Sequence, residues 1–204
     1  MTEIYGYTGS NRHKIRIDES TRAMLTVDYA HHEIHGGSSY TVGFSNTESG
    51  DDERSGIYFV TPVTPKECHP TFTFSASAAA EFFICEAPTL AADEGTHTVA
   101  VHNRNRNSTN TTTMRDNDNP AVVGYVTTLV EEDFDVTFAQ GTVLRYAILQ
   151  SGAGPFTAGG VSRGSQEYVL KYNTKYIAYI QNIGANSNIH NIQLDWYEHT
   201  ALTS

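Results

Sequence analysis

In Ile189-His190-Asn191-Ile192-Gln193-Leu194-Asp195-Trp196-Tyr197-Glu198, the apolar Ile192, Leu194 and Trp196 alternate with Asn191, Gln193, Asp195 and Tyr197. Successive side chains of an extended strand point to opposite faces, so a period of two predicts a strand with one buried face and one wet face. Slightly upstream, Tyr176, Ala178 and Ile180 alternate with Ile177, Tyr179 and Gln181. Here both sets are apolar enough to be covered. That predicts a central strand, or one whose second face meets another subunit.

The same texture runs through the chain. Short runs rich in Val, Ile, Thr, Tyr and Phe are separated by clusters of Gly, Asn, Asp, Ser and Pro, and sustained helical periodicity is nearly absent. The expected strands are 23–35, 39–44, 57–61, 71–76, 82–86, 96–103, 122–129, 143–150, 168–170, 176–180 and 189–198. Gly36-Gly37 sits between two of them and reads as a hairpin signal, because glycine accepts positive φ without steric cost. The Asn- and Gly-rich 182–188 reads as a hairpin loop between the last two strands. Pro62 and Pro65 close off the strand ending near Thr61, since proline cannot donate to a ladder. An acidic surface loop is expected over 46–55, and non-regular structure over 103–119 and the Gly-rich 151–164. Evenly spaced short strands of this kind predict an all-β fold, a β-sandwich or jelly-roll-like single domain. Residues 1–22 are polar and weakly patterned and read as an extended N-terminal arm or tail, with the sandwich domain over 23–204.

Composition narrows the function classes. Among 204 residues, 13 Lys and Arg against 23 Asp and Glu leave a net charge of −10. That balance opposes nucleic-acid binding, which relies on clustered Lys and Arg; the one basic cluster, around Arg104 and Arg106, is small. No run approaches the roughly 18–20 apolar residues of a membrane-spanning helix, and Met1-Thr2-Glu3-Ile4-Tyr5-Gly6 has no basic or apolar leader pattern. No nucleic acid and no membrane are therefore expected as partners. Cys68 and Cys85 lie in separate segments and lack C-x-x-C spacing. They read as two reduced, partly buried thiols, with a disulfide between neighbouring strands as the alternative.

His31-His32-Glu33-Ile34-His35 is the most conspicuous polar string. On a strand, His31, Glu33 and His35 would share one face and offer three metal donors in a row, much as cupin sites use His and Glu. Neighbours two apart on one strand stand about 7 Å from each other, too far for one ion to take all three, and the longer cupin spacing is not met. The expectation is hydrogen-bonded side chains on or near an interface. Asp116-Asn117-Asp118-Asn119 begins like a calcium loop, but Pro120 and Ala121 break the pattern and leave a solvated turn. Glu131-Glu132-Asp133 with Asp135 is an acidic turn that needs water, a cation or a basic partner. Gly159-Gly160-Val161-Ser162-Arg163-Gly164 is not followed by a helical pattern, so it is no phosphate loop. The sequons at Asn107 and Asn110 carry little weight in a chain without a visible export signal. No catalytic, cofactor-binding or metal-ligating residue is assigned, no cofactor is implied, and no enzyme is expected.

Two regions carry a more specific likeness. His31-His32-Glu33-Ile34-His35-Gly36-Gly37-Ser38-Ser39-Tyr40 is followed, far downstream, by Leu170-Lys171-Tyr172-Asn173-Thr174-Lys175-Tyr176 and Leu194-Asp195-Trp196-Tyr197-Glu198-His199. Together they resemble a family of small structural proteins of tailed bacteriophages, the capsid decoration or cement proteins, from about Leu25 to His199. The 1–22 arm and the 103–119 segment fall outside the likeness. The resemblance implies a β-sandwich homotrimer clamped on the major capsid protein at local three-fold positions. It would be made in the host bacterial cytoplasm and reside on the capsid exterior. A tail fibre or knob module that binds host receptors is the alternative within the same virion, and a jelly-roll metalloenzyme or glycosidase using the His/Glu string is a third reading.

Overall fold

The computed structural model describes residues 5–8, 11–14, 29–90, 97–116, 121–134, 137–149, 167–184 and 187–200. The elements in chain order are β1 (Tyr5–Thr8), β2 (Asn11–Lys14), α1 (Tyr29–Gly36), β3 (Ser39–Ser49), β4 (Arg54–Val60), β5 (Lys66–Ala76) and β6 (Ala80–Glu86). They continue with β7 (His97–Ala100), β8 (His102–Asn103), β9 (Tyr125–Leu129), a 3-10 turn over Glu131–Asp133, β10 (Thr142–Leu149), β11 (Lys175–Asn182) and β12 (Asn188–Thr200). The chain divides into two units, Met1–His32 and Glu33–Ser204. In the first, the expected arm contains a small antiparallel ladder, with Tyr5 opposite Lys14 and Thr8 opposite Asn11.

The larger unit is all-β and sandwich-like. One antiparallel sheet has the order β10-β6-β11-β4-β9-β7 and the other β5-β12-β3-β8. Tyr40 and Val42 of β3, Phe72 and Phe74 of β5, and Ile192, Leu194 and Trp196 of β12 point inward. They meet Ile57 and Phe59 of β4, Phe82 and Ile84 of β6, and Tyr176, Ala178 and Ile180 of β11. Aromatic rings bridge the sheets directly: Phe74 stacks on Phe82 with centroids 3.7 Å apart, and Phe59 on Phe72 at 6.4 Å. Burying one side chain of this size stabilises the fold by roughly 1.5–3 kcal/mol, so this layer dominates the stability.

The strand β11 is central in its sheet, as its doubly apolar pattern predicts. Its second set, Ile177 and Tyr179, packs outside the sandwich with Tyr58, Val60, Leu129 and Phe134. Tyr179 is ringed by Phe83, Phe134 and Phe138 at 4.8, 5.5 and 5.8 Å. Burial pushes its phenol up to about 12.

Several local expectations need correction. Residues 29–35 of the expected strand 23–35 lie in helix α1, and 23–28 lie outside the described residues. The string has only one β-branched residue, Ile34, and Gly36-Gly37 ends a helix there instead of turning a hairpin. Gly37 N–H donates to Ile34 O at 3.1 Å, Ser38 N–H donates to Glu33 O at 2.9 Å, and Gly37 has φ +74°. This pair of bonds is the Schellman termination, and it asks for the same left-handed glycine that a hairpin turn does. The loop 182–188 joins β11 to β12, which lie in different sheets, so it is a corner and not a hairpin. The acidic loop 46–55 shrinks to Gly50–Glu53, because β3 runs on to Ser49. The expected strand 96–103 is two strands, β7 and β8, which belong to different sheets. The expected strand 168–170 contributes a single bridge, Leu170 to Cys68. Pro70 sits inside β5, which is tolerated because β5 is an edge strand.

Candidate functional site

The chemistry concentrates at one end of the four-stranded sheet, where β5 begins and β12 finishes. The register sets Tyr197 opposite His69 and His199 opposite Glu67. Since Cys68, Trp196 and Leu194 point inward, the alternation of the strands puts Glu67, His69, Tyr197 and His199 together on the outer face. Directly opposite residues lie about 4.5–5.5 Å apart at Cβ, close enough for side chains to share one small volume. Glu67 Oε2 is 3.4 Å from His199 Nε2 and 3.8 Å from His69 Nε2. One donor atom each from Glu67, His69 and His199 fits within 4.8 Å of the others.

A third segment closes over this cluster. Leu170 N–H donates to Cys68 O at 3.1 Å on the outer edge of β5, which brings Glu167 and Tyr172 alongside. Tyr172 OH donates to Glu67 Oε1 at 3.1 Å and Tyr197 OH donates to Glu167 Oε2 at 3.1 Å. That Glu167 oxygen also stands 3.8 Å from His69 Nδ1. The His69 ring is stacked on Tyr197 at 4.6 Å and lies 4.6 Å from the His199 ring. His69 is 8% exposed, and both its ring nitrogens are buried without a hydrogen-bond partner. Burial, and then the neighbouring His199, hold its imidazole below the usual pKa against the opposing pull of Glu167 and Glu67. A neutral imidazole with an available lone pair is a metal donor.

Directly beneath, on the inner face, Glu198 is a second polar centre with a different job. Its carboxylate accepts the Trp196 indole N–H at 3.1 Å, the Thr113 backbone N–H at 3.0 Å and the Thr113 hydroxyl at 2.7 Å, together with the Thr112 hydroxyl. These bonds fasten the irregular 104–116 segment to the sandwich. Asn103, Asn105 and Asn110 hold its other end by donating to Gly37 O and His35 O. Buried Arg115, bonded to Asn173 Oδ1, anchors its end near β4.

The residues singled out from sequence fall elsewhere. On helix α1, His31 and His35 are exposed and Glu33 is buried, so the three share no face: residues two apart on a helix point to nearly opposite sides. Glu131 finds a basic partner in Arg54, whose guanidinium Nη1 stands 4.0 Å from Oε1 and whose backbone N–H donates to Oε2 at 2.6 Å; Asp133 accepts Val130 N–H at 2.8 Å. Asp135, 117–119 and the Gly159–Gly164 stretch lie outside the described residues. Cys68 and Cys85 are both free and buried, one facing the sandwich core and the other its outer satellite. Glu67, His69 and His199 carried no warning in the sequence except that each belongs to a pair of polar or aromatic residues two apart.

The rest of the outer face of this sheet is paved with small polar residues. Ser45 donates to Asn191 and Asn191 to Ser75 across three strands. At Gly43 the missing side chain opens a depression of about 300 Å³ between Phe44, Thr73 and Gln193. Fold and site together define an all-β sandwich with a histidine–carboxylate cluster on one sheet end. Comparison with known proteins finds no matching family model, no matching curated protein and no matching solved structure.

Proposed function

We propose that this chain is a structural protein that acts by adhesion, decorating and cementing the capsid of a tailed bacteriophage as a homotrimer. The particle class rests on the sequence resemblance. The three strings that carry it lie far apart in the chain, yet Tyr40 pairs with Trp196, Ser39 with Tyr197, and Leu170 with Cys68, itself opposite Glu198. They therefore describe one folded end of the sandwich.

The observation that carries the adhesive role is strand β10. It forms the edge of the six-stranded sheet, and among the described residues no strand pairs with its outer side. Val143, Tyr146 and Ile148 on it are 42%, 47% and 56% exposed. An edge strand with exposed apolar side chains is a template for association, and proteins usually blunt such an edge with charge or cover it. A subunit interface or a capsid surface supplies such a cover. A protein that binds only the expanded shell stabilises that state by its binding free energy, without any chemistry of its own.

The test mixes purified full-length chain with expanded and unexpanded phage heads and images the particles. Three-fold density on expanded heads is expected, together with a trimer mass in solution. The Tyr146→Glu and Ile148→Glu exchanges weaken either trimer or head attachment, and removing residues 1–22 weakens attachment alone. Binding to host cells with no binding to heads would replace this reading with the receptor module.

A further inference from the structure

We infer that Glu67, His69 and His199 form a binding site for a divalent transition-metal ion of the zinc type, with donors from both β5 and β12. The inference is independent of the capsid reading and stands or falls by itself.

The donor set is two imidazoles and one carboxylate, a combination that zinc takes at about 2.0–2.2 Å with a fourth position left to water. Tetrahedral coordination at those lengths places donors about 3.3 Å apart. Glu67 Oε2 stands 3.4 Å from His199 Nε2 and 3.8 Å from His69 Nε2, so small side-chain rotations bring all three to bonding distance.

The surroundings orient each donor. Tyr172 OH occupies Glu67 Oε1 and leaves Oε2 turned to the imidazoles. Glu167 Oε2, fixed by Tyr197 OH, faces His69 Nδ1 at 3.8 Å. A carboxylate on that side selects the Nδ1–H tautomer and leaves the Nε2 lone pair for an ion, the carboxylate–histidine–metal arrangement of many zinc centres. The feature that a purely structural cluster leaves unexplained is His69 itself. A buried imidazole with neither nitrogen hydrogen-bonded carries a desolvation cost that an ion at Nε2 and a shortened contact to Glu167 would both remove. Zinc rather than calcium or magnesium follows from the nitrogen donors, since those harder ions take oxygen.

The experiment uses the full chain, stripped with EDTA, dialysed and titrated with zinc sulfate, with bound metal counted by elemental analysis. A single equivalent per chain is expected, and Co²⁺ in its place should give the intense visible bands of tetrahedral coordination. His199→Ala and Glu67→Gln should abolish stoichiometric binding. Glu167→Gln, which keeps every donor, should weaken it roughly 10- to 100-fold, the usual effect of losing an orienting carboxylate. His31→Ala/His35→Ala should leave it unchanged. Far-UV circular dichroism certifies the fold of each variant, and Glu167→Gln remains decisive if a donor exchange unfolds the sheet end. Wild-type protein that holds no more zinc than His199→Ala, a pale octahedral Co²⁺ spectrum, or loss of zinc only in His31→Ala/His35→Ala would each overturn the inference.

Discussion

Trp196 and Glu198 stand two apart on β12, both turned into the sandwich, and the indole N–H donates to the carboxylate at 3.1 Å. An inward glutamate that is 2% exposed is costly in an apolar layer unless every lone pair is used. Here four donor groups use them, from Trp196, the Thr113 backbone and the hydroxyls of Thr112 and Thr113. Glu198→Ala would strand these donors in the interior. Each unmet buried donor costs about 1–3 kcal/mol, so a loss of at least about 3 kcal/mol is expected in urea unfolding. Glu198→Gln keeps the shape but turns an amide N–H₂ toward other donors, so it should recover little. A loss below about 1 kcal/mol for Glu198→Ala would show that water replaces the carboxylate and that the 104–116 segment is not fastened there.

Gly37 makes a different kind of demand. Its φ of +74° disfavours any side chain, and a Cβ there would meet Ser108 Oγ at 2.3 Å and Ser108 Cβ at 2.8 Å. Strain in this backbone region costs about 1–3 kcal/mol before any clash is counted. Gly37→Ala should therefore destabilise by at least about 2 kcal/mol, and adding Ser108→Gly should return the steric part only. Full recovery in the double variant would mean that the backbone conformation contributes nothing.

The sheet architecture was legible because strand alternation is a local property. Ile192, Leu194 and Trp196 announce their inward face, and the doubly apolar pattern around Ile177 announces a central strand, without knowledge of any partner. Where the same local signal serves two structures, sequence reading chose wrongly. Gly36-Gly37 supplies a left-handed turn to a hairpin and to a helix terminus alike, and Asn182 with Gly184 suits an inter-sheet corner as well as a hairpin. The histidine–carboxylate cluster was illegible for a further reason. Glu67 and His199 are 132 positions apart and become neighbours only through the β5–β12 register, which no local pattern encodes. Reading His31, Glu33 and His35 along one supposed strand missed that cross-strand pairs, and not neighbours two apart, bring donors into one volume.

The two cysteines offer a test of the core that needs no substitution. Burial pushes the Cys85 thiol up to about 12, and burial followed by the nearby Glu198 raises that of Cys68 as well. Only the thiolate reacts, so ionisation alone slows Cys85 by roughly three orders of magnitude relative to a free thiol. Iodoacetamide at pH 8 should leave native protein unlabelled and modify both thiols once guanidinium unfolds it. Prompt labelling of native protein, read by mass spectrometry, would contradict the closed packing on both faces of the six-stranded sheet.

Stability should fall on mild acidification, and His190 sets the window. It is 1% exposed on the inner face of β12, with Nδ1 at 2.7 Å from Ser55 Oγ. Burial lowers its pKa to about 4, against the opposing charge of Glu53, whereas an unfolded histidine titrates near 6.5. Between those values the unfolded chain binds a proton that the folded chain refuses, so the unfolded state is favoured progressively as pH drops. The slope contributed by His190 approaches one proton, about 1.4 kcal/mol per pH unit, across pH 6.5 to 4, and disappears below the folded pKa; His69, also held below its usual pKa, adds in the same direction. Replacing the ring by a non-titrating one of similar size, His190→Phe, removes this component at the cost of the Ser55 bond, so the variant should start less stable at pH 7.5 and lose less on acidification. Parallel unfolding curves for the two proteins from pH 7.5 to 4.5 would show that His190 does not remain neutral in the folded sheet.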